Sequence, residues 1–209
     1  IKQDPNNPAS KNLPSSDNQL TGIEFSYSTF LYVSDDTDDG SGTLSWKSVF
    51  YKGYESGPFP LMGPGVFVSS GQTGGTTLRI MMNTYDSWFN ALDVTQIPLN
   101  KWFHLVVMLK GNALDVYING NLANRYKFTD VPKLNFSDFH LLSGSTVGIS
   151  EAGSCSVTSN EEGGVAVKAK IDQFNSYTDQ GIATGTNKLK VVGAMRGYVS
   201  RVKYFTYAL

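Results

Sequence analysis

The chain has 209 residues, a formal net charge of −1 and charged residues at only 17%. No block of Lys and Arg is there to neutralise phosphates, so the composition argues against a nucleic-acid partner or an anionic membrane surface. The single cysteine, Cys155, forms no intrachain disulfide, and no run of 18 apolar residues spans a bilayer.

At 22.8 kDa, surface scaling gives a folded chain that buries about 70% of its surface, enough for one core without staples. The lone thiol is compatible with a reducing compartment. No secretory signal is recognised. The chain starts at Ile1 and is read as a processed or excised piece of something longer. Glycine is abundant (21) and aromatics reach 12%, which favours strands and turns over exposed helices.

Residues 1–20 hold three prolines and four asparagines with little apolar content, and read as an extended arm or linker. GIEFSYSTFLYV (22–33) alternates with period two and puts Ile23, Phe25, Tyr27 and Thr29 on one face. SDDTDDGSG (34–42) reads as a loop, and 44–54 as a strand. GPFPLMGPG (57–65) is read as irregular because of its prolines and glycines. Strands follow at 65–70, 77–85 and 89–97. KWFHLVVMLKG (101–111) is apolar on both faces, Phe103, Leu105, Val107 and Leu109 against Trp102, His104, Val106 and Met108. Residues 113–120 pair back onto it, and Asn119-Gly120 supplies the two positive-φ residues of a type I′ turn into 121–128. Residues 140–144 and 197–209 close the series. Between them, 145–196 is rich in Gly, Ser and Thr, with strand candidates at 164–174 and 188–192. Short strands at intervals of about 8–12 residues predict an all-β sandwich.

Four stretches carry a resemblance: PLNKWFHL (98–105), LDVYINGN (114–121), VPKLNFSD (131–138) and GYVSRVKYFTYAL (197–209). In this order they resemble the laminin-G-like branch of the concanavalin A-like lectin/glucanase superfamily. The details are similar to variants from large DNA viruses of algae and protists and from marine phages. These share the opening Gly22 to Ser28, then Phe50, Lys52 and Gly53, then Pro64 to Val66, and Met82 to Tyr85. The resemblance covers 22–144 and 197–209. It implies a concanavalin A-like jelly-roll sandwich of two antiparallel sheets over residues 21–209, with an insertion at 145–196. It also implies a lectin-like recognition module in a virion, binding carbohydrate or other virion proteins. The rival reading is a structural capsid-associated protein whose arm and insertion contact neighbouring subunits, further copies of this chain included.

Catalysis is tested on the strand carboxylates. A retaining glucan hydrolase needs two carboxylates about 5–5.5 Å apart, which on one strand means two acids on the same face. Asp115 shares its face with Tyr117 and Asn119, and Asp93 with Thr95 and Ile97. Neither has a second acid, so the chain is read as no enzyme and Asp115 as pointing outward at the sheet surface. His104 is read as a core imidazole bonded to backbone, and Trp102, Tyr204, Phe205 and Tyr207 as burying large apolar area.

Two other groups are candidates for binding. Asp35, Asp36, Asp38 and Asp39 lie within five residues and read either as a solvated hairpin tip or as the donors to one calcium ion. Asn83, Tyr85, Asp86, Trp88 and Asn90, with Tyr54, combine aromatic faces with amides and a carboxylate, as sugar recognition requires. Trp88, set among polar neighbours, is the first choice for an exposed stacking platform.

Overall fold

The structure, a computed structural model, describes residues 13–16, 18–19, 22–38, 45–54, 61–70, 75–85, 90–148 and 190–209. Among these the regular elements are thirteen strands and one short 3-10 turn, Asp35–Thr37. The strands are β1 (Asn18–Gln19), β2 (Gly22–Val33), β3 (Ser45–Tyr54), β4 (Leu61–Ser70), β5 (Leu78–Met82), β6 (Asn90–Val94) and β7 (Trp102–Lys110). They continue with β8 (Ala113–Ile118), β9 (Asn121–Lys127), β10 (Phe139–Leu141), β11 (Thr146–Gly148), β12 (Lys190–Ala194) and β13 (Gly197–Phe205).

Two sheets form. The first runs β1-β2-β7-β8-β9, with β13 also paired to β2; the second runs β11-β12-β3-β4-β5-β6, with β10 also on β3. All pairings are antiparallel except β12 on β3. The period-two pattern of β2 and β7 explains the core. Phe25, Tyr27, Leu31, Phe103, Leu105, Val107 and Leu109 of the first sheet face Phe50, Val66, Val68, Leu78, Ile80 and Met82 of the second. Each such side chain contributes roughly 1.5–3 kcal/mol by leaving water. Asn124 Nδ2 of β9 donates to the Asp93 carbonyl of β6 at 2.8 Å and ties the sheets at one edge. Asn119 (φ 51°) and Gly120 (φ 80°) make the expected two-residue turn between β8 and β9.

Several sequence expectations are corrected. Residues 61–65 are strand, because β4 begins at Leu61. The Gly-Pro-Gly segment is accommodated where the β3–β4 register shifts, between Tyr51 and Gly53, a place where proline costs no ladder bond. Gly65 is needed there: a Cβ would lie 2.6 Å from Met62 Sδ and 2.8 Å from the Phe67 ring. The ends of the 145–196 stretch belong to the sandwich. β11 pairs with β12, β12 pairs with β3, and Val191 and Met195 are buried. The candidate strand at 164–174 and Cys155 lie outside the described residues. Within the expected arm, β1 pairs with the start of β2.

The outer face of the first sheet has its own cover. Ser26 Oγ donates to the Tyr207 carbonyl at 2.9 Å, and the Leu209 N–H donates back to Ser26 Oγ at 3.1 Å. The last residues thus lie over Ser26 and its neighbour Met108, both buried on the side facing away from the core. The outer face of the second sheet is buried too. Trp46, Tyr51, Phe67 and Met81 are withdrawn from solvent, and the Arg79 guanidinium lies 4.2 Å from the Trp46 ring centroid.

Candidate functional site

The residues named from sequence scatter. Asn83 and Asn90 come to the same end of the β5–β6 pair, but Asn83 is only 2% exposed. Its N–H donates to the Met62 carbonyl at 2.9 Å and its carbonyl accepts from the Lys133 N–H at 3.0 Å. It joins two segments from inside, and a soluble ligand does not reach it. Asn90 is half-buried and its amide donates to the Met82 carbonyl at 3.3 Å. Tyr85 is exposed, with Lys133 Nζ 5.4 Å from its ring centroid and its own N–H on the Val131 carbonyl at 3.1 Å. Tyr54 ends β3, and nothing is described of its side chain. Asp39, Asp86 and Trp88 lie outside the described residues.

The acidic turn is tied to the other end of the chain. Thr37 Oγ1 donates to the Arg196 carbonyl at 2.8 Å, and Arg196 Nη1 lies 3.3 Å from Asp36 Oδ2. The Ser34 hydroxyl and then the Arg196 guanidinium hold the Asp36 carboxyl below the ordinary carboxylate value. The Asp35 N–H donates to Asn100 Oδ1 at 3.2 Å. Asp35 and Asp38 are exposed. Among the described residues no three carboxylate, imidazole or thiol groups gather to hold a metal ion.

Beside this turn lies a feature that sequence reasoning missed. Tyr198 on β13, Tyr32 on β2 and Trp102 on β7 stand in direct cross-strand register on the outer face of the first sheet. Ring centroids are 5.8 Å apart for Tyr32–Trp102, 5.8 Å for Tyr32–Tyr198 and 6.4 Å for Trp102–Tyr198. Trp102 is 51% exposed and Tyr198 65% exposed, which corrects the expectation that Trp102 is buried. The planes of the two outer rings differ by 31°, while Tyr32 meets both edge-on at 60°. Edge-to-face contacts of this kind hold aromatic rings in place. One glycine seats the row. Gly197 has φ +146°, and a Cβ there would sit 1.9 Å from the Tyr32 carbonyl oxygen, so only glycine lets β13 approach β2. The next positions along the sheet are Phe30, partly exposed, and His104, whose rings are 4.8 Å apart.

Three polar groups of the outer faces are engaged by side chains. His104 Nε2 is 2.8 Å from Ser28 Oγ, a side-chain partner where a backbone one was expected, and the imidazole is half-buried outside the core. Asp115 lies on the outward side as expected, beside Met108, but is not at the surface: it is buried under the Arg125 guanidinium, bonded at 2.6 and 2.7 Å. Arg79 and Asp93 make the corresponding pair on the second sheet, at 2.7 and 2.6 Å.

A laminin G family model, described as concanavalin A-like lectin/glucanases superfamily, matches residues 7–180, and the chain belongs to that family. No curated protein matches the sequence. Among solved structures, the mouse laminin alpha1 chain, domains LG4-5, is similar at 8% identity and TM-score 0.47, over 95% of this chain and 39% of that one. A putative carbohydrate binding protein from Bacteroides ovatus is similar at 13% identity and TM-score 0.45, over 93% of this chain and 41% of that one. A Trypanosoma rangeli sialidase is similar at 13% identity and TM-score 0.44, over 90% of this chain and 21% of that one. The chain thus spans between 21% and 41% of the length of these three, and likeness at this level carries nothing about ligand or activity.

Proposed function

We propose that this chain is a non-catalytic, lectin-like recognition module that binds glycan on the row Trp102–Tyr32–Tyr198. The observation that carries the reading is the exposed aromatic row itself, three rings in register on adjacent strands beside polar side chains. A pyranose has an apolar C–H face that stacks on an aromatic ring and a rim of hydroxyls that seek hydrogen bonds. Asp36 and Arg196, both largely exposed, stand within a few residues of Tyr32 and Tyr198. A contiguous apolar patch on a sheet face marks an interaction surface, whereas single exposed hydrophobics do not.

The non-catalytic part of the reading rests on the strand carboxylates. Both oxygens of Asp115 and both of Asp93 are taken by an arginine, which leaves neither available as general acid or nucleophile. Placement in a virion rests on the sequence resemblance, and calcium on the acidic turn; both belong to the proposal as its finer parts.

The test is a glycan array probed with and without calcium, using the wild type, Trp102→Ala, Tyr198→Ala and Trp88→Ala. Binding weakened at least roughly tenfold, or 1.4 kcal/mol, by the first two substitutions supports the row. Loss confined to Trp88→Ala moves the site to the 83–90 stretch. Turnover of a β-glucan or a sulfated algal polysaccharide by pure protein overturns the non-catalytic reading.

A further inference from the structure

The first sheet has a second end. Tyr32 faces Trp102 at one end of the β2–β7 pair, and Glu24 faces Lys110 at the other. Eight residue steps along β7, from 102 to 110, separate the two, about 27 Å at ~3.4 Å per step. At the far end a cleft of about 440 Å³ opens between the start of β2, the β7–β8 turn and the segment after β9. This lies within the range of small-ligand sites.

One wall is bare backbone. Gly22 (φ +106°) and Gly111 (φ 59°) come close enough that a Cβ on Gly22 would lie 3.5 Å from the Gly111 Cα, and the Gly111 N–H donates to the Ile23 carbonyl at 3.0 Å. The opposite wall, Thr129–Pro132, is fixed from both sides. The Phe128 N–H donates to the Asn112 carbonyl at 2.8 Å, the Asn112 amide donates to the Phe128 carbonyl at 3.2 Å, and Pro132 bridges to Thr84. The cleft is therefore formed before any ligand arrives. Its lining mixes apolar surface from Ile23, Val131 and Pro132 with the side chains of Lys110, Thr129 and Asp130. One ammonium and one carboxylate cancel, so the lining selects neither an anion nor a cation. The Val131 carbonyl accepts from the Tyr85 N–H at 3.1 Å, which further fixes this wall.

Apolar surface, hydrogen-bonding side chains and balanced charge around a small preformed space are what a single neutral sugar ring requires. We propose that this cleft is a second carbohydrate site, taking one neutral sugar residue such as the end of a glycan. It rests on the glycan reading for the class of ligand, and on the cleft alone for the place. A module with two such sites gains from multivalency on a glycan long or branched enough to reach both.

The test is an amide NMR titration of the whole chain with methyl glucoside, methyl galactoside, methyl mannoside and methyl N-acetylglucosaminide. The expected result is a shift of the Gly111, Asn112, Thr129 and Val131 amides with at least one of them. That shift should be lost in Val131→Trp, which fills the cleft, weakened at least tenfold in Asp130→Ala, and unchanged in Trp102→Ala. Shifts confined to the Trp102–Tyr198 end overturn the cleft and leave the glycan reading standing. Shifts at the cleft with none at the row on oligosaccharides overturn the row and keep the cleft. Silence at the cleft with all four glycosides overturns the cleft.

Discussion

Asp115 on β8 and Arg125 on β9 stand directly opposite each other, and both carboxylate oxygens are taken by guanidinium nitrogens at 2.6 and 2.7 Å. The pair is lopsided: the Asp115 side chain is 3% exposed and that of Arg125 57%. Removing the arginine leaves a buried carboxylate alone, while removing the charge of the aspartate leaves a guanidinium that water reaches. Arg125→Ala should therefore lower the urea midpoint more than Asp115→Asn does. Equal or reversed losses would show that the carboxylate finds water or another partner.

The second sheet carries the mirror case. Arg79 is 1% exposed and Asp93 31%. Asp93→Ala leaves a buried guanidinium without its counter-charge and should cost roughly 3–5 kcal/mol in chemical denaturation. Arg79→Met, which keeps apolar contact with Trp46, should cost less, since replacing a buried ion by a hydrophobe of similar length is often near neutral.

Gly197→Ala puts a methyl against the Tyr32 carbonyl in a backbone region that L side chains rarely adopt. The start of β13 should detach. Amide exchange at Tyr198 and Val199 should speed up markedly, and glycan binding at the row should fall with it. The last residues of β13, paired to Ser26 and Tyr27, should stay protected.

Alkaline stability has a named contributor. Burial, and then the neighbouring Tyr204, push the Tyr27 hydroxyl well above the ordinary phenol value, which is about 10. The folded state thus holds this proton where the unfolded chain releases it. The sign follows: the contribution is complete below pH ~10 and is lost as pH rises toward the folded value. Tyr27→Phe should flatten the fall in thermal midpoint above pH ~10 relative to wild type. Parallel curves would mean that other groups set the alkaline limit.

Strand positions and inward faces were legible in the sequence because a buried face imposes period two on each strand by itself. β2 was expected at 22–33 and spans Gly22–Val33, and the Asn119-Gly120 turn followed from local backbone preference. The candidate site was much less legible. Trp102 and His104 were assigned to one face of the strand but were read as buried, and their neighbours across the sheet were not assigned. Tyr32 and Tyr198 are 166 residues apart in the chain and 5.8 Å apart in ring centroids, and only register creates that contact.

The sequence by itself determined the all-β class, the alternation that builds the core and the family to which the chain belongs, since these reside in local pattern and short motifs. Tertiary structure alone decided which outward residues meet. It buried Asp115 beneath Arg125, turned Asn83 inward, left Trp102 and Tyr198 exposed as neighbours, and opened a cleft beside Gly111. The physical reason is that a strand fixes the side of the sheet on which a residue lies, while pairing between distant strands fixes what lies next to it.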